Sequence, residues 1–405
     1  MLDRKFVLKI FEAFSIERWN DLVRPFEIIE MDKTAEKTVL AYMIGKFEEE
    51  RGVKVDWRRI IYGSFFDLLR KIALCDIKAP VQRMIREEYP EEFERLNHWV
   101  LDQYRDVIVD CALFSEFENH LFLPIDASDS TSRILKAAHK YSTLREVEML
   151  RLVNEPFRLI EIEKGLNRDL EAFLDLRCMQ LLVTKQQPYD FLMQIERLRF
   201  QTRWNQTPRV PRTSVLGHSY FVAVMTLLLG RNSPLCDKRF YNNFFSALFH
   251  DLPEAVTRDI ISPVKQATHH LPQIVKEIED RIVERELLPL MDKSYRDELL
   301  YFTANEFENR IRDTEGKVVE VTYEELNESY NDEKFHPIDG KLVRFADHIA
   351  AFIEADSSIQ YGITSTHLRE GRRNILSLYP EGKVVNGIHA HAFFAEFPAA
   401  ITQVL

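Results

Sequence analysis

Glycine and proline are scarce, at 12 and 16 residues in a chain of 405. Together with 28 phenylalanines and abundant Leu, Ile and Glu, that scarcity points to a helical protein. It also removes the glycine-rich phosphate loops of nucleotide-binding α/β folds, since neither GxGxxG nor GxxxxGK[ST] occurs. Cysteine is rarer still. Cys75, Cys111, Cys178 and Cys236 stand far apart without a CxxC pair, which excludes a disulfide frame or a zinc knuckle and reads as reduced core thiols. Positive charge is in deficit, with 54 Lys and Arg against 65 Asp and Glu and a net charge of −11. A nucleic-acid coat protein needs the opposite balance, so any phosphate-bearing ligand must be small and met by a local Arg or Lys. Long apolar runs are lacking too. The longest, Tyr220 to Leu229, is half of the ~20 residues a membrane span requires. The opening MLDRKFVLKIFEAF is amphipathic, carries an acidic residue and has no small-residue cleavage site. The expectation is a cytoplasmic protein with no membrane and no nucleic-acid partner.

What the sequence has is helical periodicity. Hydrophobic residues make up 45% and charged residues 29%, an ordinary globular balance at a length sufficient for two or three domains. Apolar and charged positions alternate at three-to-four spacing over 3–23, 33–50, 57–74, 91–114, 132–152 and 169–200. A helix over 214–230 starts at a Thr213 or Ser214 cap and stops at Gly230; others follow over 239–251 and 340–356, and 271–302 reads as a long amphipathic helix or a pair. Residues 303–338 break the pattern with a β-hairpin around DTEG, read as an excursion from the helical body.

A faint repeat runs through the chain. CDIKAPVQ (75–82) resembles RDIISPVK (258–265), FLPID (122–126) resembles FHPID (335–339), and ILKAAHK (134–140) resembles LVRFADH (342–348), in preserved order. The expected organisation is all-α: a helical N-terminal domain over 1–190, readable as a degenerate repeat; a catalytic domain over 191–370; and a tail over 371–405 packing on the body.

The chemistry-bearing stretch is 203–265. It holds His218 inside one helix and the pair His250–Asp251 at the end of the next, with Asp347 inside a later one. Two imidazoles and two carboxylates form a mixed N/O set suited to one divalent transition metal, Mn, Co, Fe, Ni or Zn, with positions left for water and substrate. Singly, His218 reads as a core histidine and Asp347 as a buried ion-pair partner; the ordered set carries the signal. Arg209 and Arg212 flank prolines and read as solvated, His269–His270 as a surface pair, and a second metal at His389 and His391 is not expected.

RWNQTPRVPRTSVLGHS (203–219), HDLPEAVTRDIISPVK (250–265) and LVRFADHIAAF (342–352) resemble the HD-domain metal-dependent phosphohydrolases, and among them the bacterial 5′-deoxynucleotidases. The likeness spans about 195–360. It implies an HD-domain helical bundle in the C-terminal half, with His218, His250, Asp251 and Asp347 as ligands of one metal. It further implies Glu254 as the acid/base group, Asp259 holding the water or the sugar hydroxyl, Arg203 on the phosphate, Trp204 near the sugar and Lys265 adding positive potential. Similar proteins form dimers, which makes a homodimer an expectation. By the repeat offsets, His139 stands where Asp347 does, and the stretch near Asp67 and Leu68 replaces His250–Asp251.

The pattern departs from its relatives at Val215-Leu216-Gly217, where an acidic residue is usual, at Pro253, and at His348 after the metal Asp. The expected activity is release of phosphate from a small nucleotide monophosphate or related phosphomonoester. Two readings stay open beside it: a cyclic-nucleotide or dinucleotide phosphodiesterase, and a non-catalytic HD signalling or binding module.

Overall fold

Each half of the chain is organised around one helix buried along nearly its whole length. In the computed structural model these are Glu30–Glu50 and Val215–Gly230. The structure describes residues 2–123, 126, 128–258 and 268–398. They divide into a Lys5–Thr184 unit and a unit of Lys185–Leu405 with Met1–Arg4. Helix accounts for 66% and strand for 4% of the chain.

The first unit contains α1 (Arg4–Phe11), α2 (Glu30–Glu50), α3 (Trp57–Leu74), α4 (Ala79–Glu88), α5 (Pro90–Asp102), α6 (Cys111–Phe122), α7 (Ser130–Leu150), α8 (Pro156–Glu171) and α9 (Arg177–Val183). Here α2 packs against α3, α7 and α9. Aspartates start three of these helices: Asp56 accepts from the Arg59 amide, Asp110 from Leu113, and Asp129 from Thr131 and Ser132.

Three periodic stretches are broken where their apolar stripes alone would continue. The helix expected over 3–23 ends in a 3-10 turn at Glu12–Ser15, after which Glu17 bridges to Ile29 and Trp19 turns to a φ of 57°. The 91–114 stretch becomes α5 and α6, because Asp110 caps a new start. Over 169–200, α8 ends at Glu171, and Pro188 sits in the opening turn of a later helix, where its missing N–H costs nothing. The cysteines differ from expectation as well. Only Cys178 is in the core, Cys236 is half-buried, and Cys75 and Cys111 are exposed because each lies at a helix boundary.

The second unit contains α10 (Gln187–Phe200), α11 (Val215–Gly230), α12 (Asp237–Phe249), the single turn α13 (Glu254–Thr257), α14 (Leu271–Ile282), α15 (Arg296–Thr303), α16 (Tyr323–Glu328), α17 (Gly340–Gln360), α18 (Thr366–Leu378) and α19 (Ala390–Ala395). All sixteen residues of α11 are buried, as a helix apolar on every side requires. It packs against α10, α12 and α17. The stretch expected over 271–302 as a long helix or a pair is a pair, α14 and α15, separated beyond Ile282 by a π turn and a 3-10 turn containing Pro289.

The hairpin is more than an excursion. Strands β1 (Asn309–Arg312) and β2 (Val318–Glu320) pair antiparallel, with Ile311 opposite Val319, and β1 pairs on its other edge with β3 (Ile338–Asp339). β3 runs directly into α17. Gly340 at that junction lies so close to Glu308 that a Cβ would sit 2.2 Å from its carbonyl oxygen. The fully buried Arg239 of α12 grips Asp339 with Nε at 2.7 Å and Nη2 at 2.6 Å. Asn243 donates to the same carboxylate at 2.7 Å and accepts from the Asp339 amide at 2.8 Å. The sheet thereby fixes the start of α17, the helix that carries Asp347. Replacing one partner of a buried ion pair strands the other. Arg239→Leu is therefore expected to lower stability by about 3–5 kcal/mol, read from the chemical denaturation midpoint.

Candidate metal centre

Three elements of the second unit deliver the ligand set. Ser214 caps α11 by accepting from the Gly217 amide at 2.8 Å, which places His218 in the first turn. His250 is the residue that closes α12, and Asp251 follows it. Asp347 lies two turns into α17. His218, His250 and Asp347 each offer a ligand atom within 4.8 Å of the others, the one such group of three among the described residues. His218 Nε2 is 3.0 Å from Asp347 Oδ1. Asp251 Oδ2 lies 3.2 Å from His250 Nε2 and 3.7 Å from Arg203 Nη1, and makes no hydrogen bond although it is shielded from solvent.

The imidazoles are oriented from behind. His250 Nδ1 lies 2.7 Å from the Ala247 carbonyl, which can only accept, so Nδ1 carries the proton and Nε2 faces the cluster. His218 Nδ1 lies 3.3 Å from Glu354 Oε1. Glu354 follows Asp347 by seven residues, about two helical turns, and so occupies the same face of α17. The His218 ring spans the gap, with one nitrogen toward each carboxylate. A carboxylate behind a ligating histidine is the usual second partner in metal sites, where it sets tautomer and basicity.

Glu354 also accepts from Thr213 Oγ1 at 2.8 Å, Trp204 Nε1 at 2.8 Å and Arg203 Nε at 3.3 Å. Burial favours its neutral form, but Arg203 and then His218 hold the carboxyl well below the usual carboxylate range. Burial likewise opposes ionisation of Asp347, and the His218 hydrogen bond overrides it to leave the group strongly acidic. Burial disfavours charge on His250, yet the Asp251 carboxylate pushes its pKa up to about 9. A proton thus sits on His250 among ionised carboxylates, a charge that a divalent ion would displace. Two imidazoles with Nδ1 committed elsewhere, two acidic carboxylates and an unbonded carboxylate oxygen fit such an ion.

Residues 195–376 match the family model of the HD domain. No curated protein matches the chain. HD domains bind divalent metals and are typically hydrolytic, so metal-dependent phosphohydrolase chemistry in general is indicated for this half.

Not every residue of the HD domain singled out by sequence falls in the cluster. Arg203 borders it through Asp251 and Glu354. Trp204 adopts a φ of 57° and lays its ring on Gly371, where a Cβ would approach to 2.4 Å, so its side chain is taken up in packing. Glu254 opens α13, and its amide donates to the Asp251 carbonyl at 3.0 Å. Asp259 and Lys265 lie outside the described residues. Arg209, read as solvated, is buried. It donates to the Pro211 carbonyl at 2.8 Å and to Thr213 Oγ1, because closing the 203–213 loop needs an internal donor. His269 and His270 are exposed, as is Arg212. His391 is engaged with the Tyr379 carbonyl at 2.9 Å.

Glu354 escaped the sequence reading, which offered Thr213 only as a helix cap and not as a donor to that carboxylate. The available signal was a carboxylate seven residues beyond Asp347 on an otherwise apolar helical face. Glu354→Gln keeps the shape and removes the charge behind His218. Its affinity for Mn²⁺ in calorimetric titration is expected to fall about 10–100-fold with the circular dichroism spectrum unchanged.

Proposed function

We propose that the HD domain hydrolyses a small phosphomonoester, a nucleoside monophosphate or a close relative. The observation that carries this reading is the convergence of His218, His250 and Asp347 beside Asp251, with the Arg203 guanidinium 3.7 Å from Asp251 Oδ2. That juxtaposition puts a fixed organic cation next to a cation site, the pairing a transferring phosphoryl group needs for its equatorial charge.

His218, His250, Asp251 and Asp347 would hold the ion. A divalent metal there supplies Lewis acidity and makes water a competent nucleophile at neutral pH. Arg203 meets a phosphate oxygen, while its Nε remains tied to Glu354 and so keeps the guanidinium aimed. Glu354 acts through His218, holding the ring so that Nε2 points at the cluster. Glu254 delivers a proton to the departing alkoxide. Its place one short turn from Asp251 keeps that carboxyl group near the ligands without making it one. A substrate of this size suits the strongly acidic chain, because recognition is confined to one arginine and the site.

The test is release of inorganic phosphate from a panel of nucleoside monophosphates with Mn²⁺ or Co²⁺ added. Turnover is expected, and is expected to vanish in Asp251→Ala. Glu254→Gln should bind metal normally and lose about 10²–10⁴-fold in kcat. Turnover of cyclic nucleotides alone would replace this reading by a diesterase, and metal binding without turnover of either class would replace it by a binding module.

A further inference from the structure

The Lys5–Thr184 unit reproduces the frame of the metal centre with other residues in the ligand positions. Glu17 bridges to Ile29 as Thr202 bridges to Ser214, each pair 185 residues apart. At the same offset, Arg18–Trp19 matches Arg203–Trp204, and both tryptophans have a φ of 57°. Trp19 Nε1 donates to Glu146 at 2.8 Å, as Trp204 Nε1 does to Glu354. Arg18 donates to Glu146 at 2.9 Å, where Arg203 reaches Glu354 at 3.3 Å. The buried helices α2 and α11 begin at Glu30 and Val215, again 185 apart. At an offset of 183, Cys75 and Arg258 share a positive φ, 54° and 65°. These correspondences are geometric and independent of the short sequence matches.

On this frame Lys33 takes the position of His218. His139, seven residues before Glu146, takes that of Asp347; Asp67 and Leu68 take those of His250 and Asp251; and Lys71 takes that of Glu254. Lys33 is buried. Its Nζ donates to Ser142 Oγ at 2.7 Å, Thr143 Oγ1 at 2.8 Å and the His139 carbonyl at 3.3 Å. Both hydroxyls donate their own protons to the His139 carbonyl, at 3.1 and 2.8 Å, so their lone pairs are left to face Nζ. Three acceptors use all three protons of an ammonium and leave nothing open on it.

We propose that the Lys33 ammonium is the resident cation of a second, metal-free HD-type centre. The proposal rests on the metal reading of the HD domain, whose ion Lys33 would replace. Where that domain needs an ion to balance its carboxylates, this unit supplies Arg18, Lys33 and Lys37 against Glu30, Glu146 and Asp67, with Arg18 on Glu30 at 2.6 Å and Lys37 on Asp67 at 2.9 Å. Burial draws the Lys33 pKa down to about 7 against the opposing pull of Glu146, so the three acceptors carry an ammonium that burial disfavours. Burial and then Lys33 keep His139 neutral. With no open coordination position and a lysine where the acid stands, the unit binds no metal and carries out no hydrolysis.

Counting ions tests this without reference to turnover. Protein loaded with Mn²⁺ at pH 7 and desalted is expected to retain about one ion per chain, and Asp347→Ala about none. Adding Lys33→His to Asp347→Ala puts an imidazole at the place that corresponds to His218, with His139 and Asp67 at those of Asp347 and His250, and about one ion per chain should return. An ion retained by Asp347→Ala and released by adding His139→Ala would overturn the proposal, a result that needs no variant at Lys33. So would a folded Lys33→His protein that gains nothing. Absence of any ion from the wild-type chain would instead count against the metal reading of the HD domain, and the gain in Lys33→His would still decide this one.

Discussion

The Glu354 carboxylate, buried in the middle of α17, is the contact on which the candidate centre depends. It gathers Thr213, Trp204 and Arg203 from the loop before α11, and the candidate ligand His218 from α11 itself. A buried carboxylate is costly unless several donors surround it, and that requirement runs in both directions. The donors must converge for the protein to fold, and their convergence aims His218 and Arg203 at the place where the other ligands meet. Stability of the loop and competence of the site are therefore one interaction.

A second buried ion pair plays the same part at the other end of α17. Arg239 and Asp339 join α12 to the three-stranded sheet, so the helix that supplies His250 and the helix that supplies Asp347 share an anchor. Rigid elements hold the imidazoles and the Asp347 carboxylate, whereas Asp251 and Glu254 sit in the short turns after α12. A candidate site with three donors on helices and Asp251 in a turn combines fixed geometry with local adjustment. In the first unit, Arg18, Trp19 and Glu146 repeat the gathering interaction around a lysine, which separates the frame from the ion.

Much of the fold was legible because helices announce themselves by period. The expected spans at 57–74 and 214–230 meet Trp57–Leu74 and Val215–Gly230 nearly residue for residue, since a capping Asp or Ser and a sharp stop mark both ends. Periodicity misled at 3–23, and at 271–302 it left open whether one helix or a pair is present. There the stripe continues through residues that tertiary contacts bend, Trp19 toward Glu146 and the Pro289 turn away from α14. The hairpin was visible in its DTEG turn, but its union with β3 was not, because two residues of strand leave no periodic trace.

By itself the sequence determined the all-helical class, the absence of phosphate loops, and the identities and order of the four ligand candidates. These are properties of composition, local spacing and motif, which need no partner to be read. Only the tertiary structure decided that His218, His250 and Asp347 come within ligating reach, that Glu354 stands behind His218, that Arg209 is internal, and that Lys33 fills the corresponding place in the other unit. Most of those facts depend on side chains that meet far along the chain, as His218 meets Asp347 across 129 residues and Lys33 meets Ser142 across 109. No local pattern encodes such a meeting; burial and hydrogen-bond satisfaction select it once the helices pack.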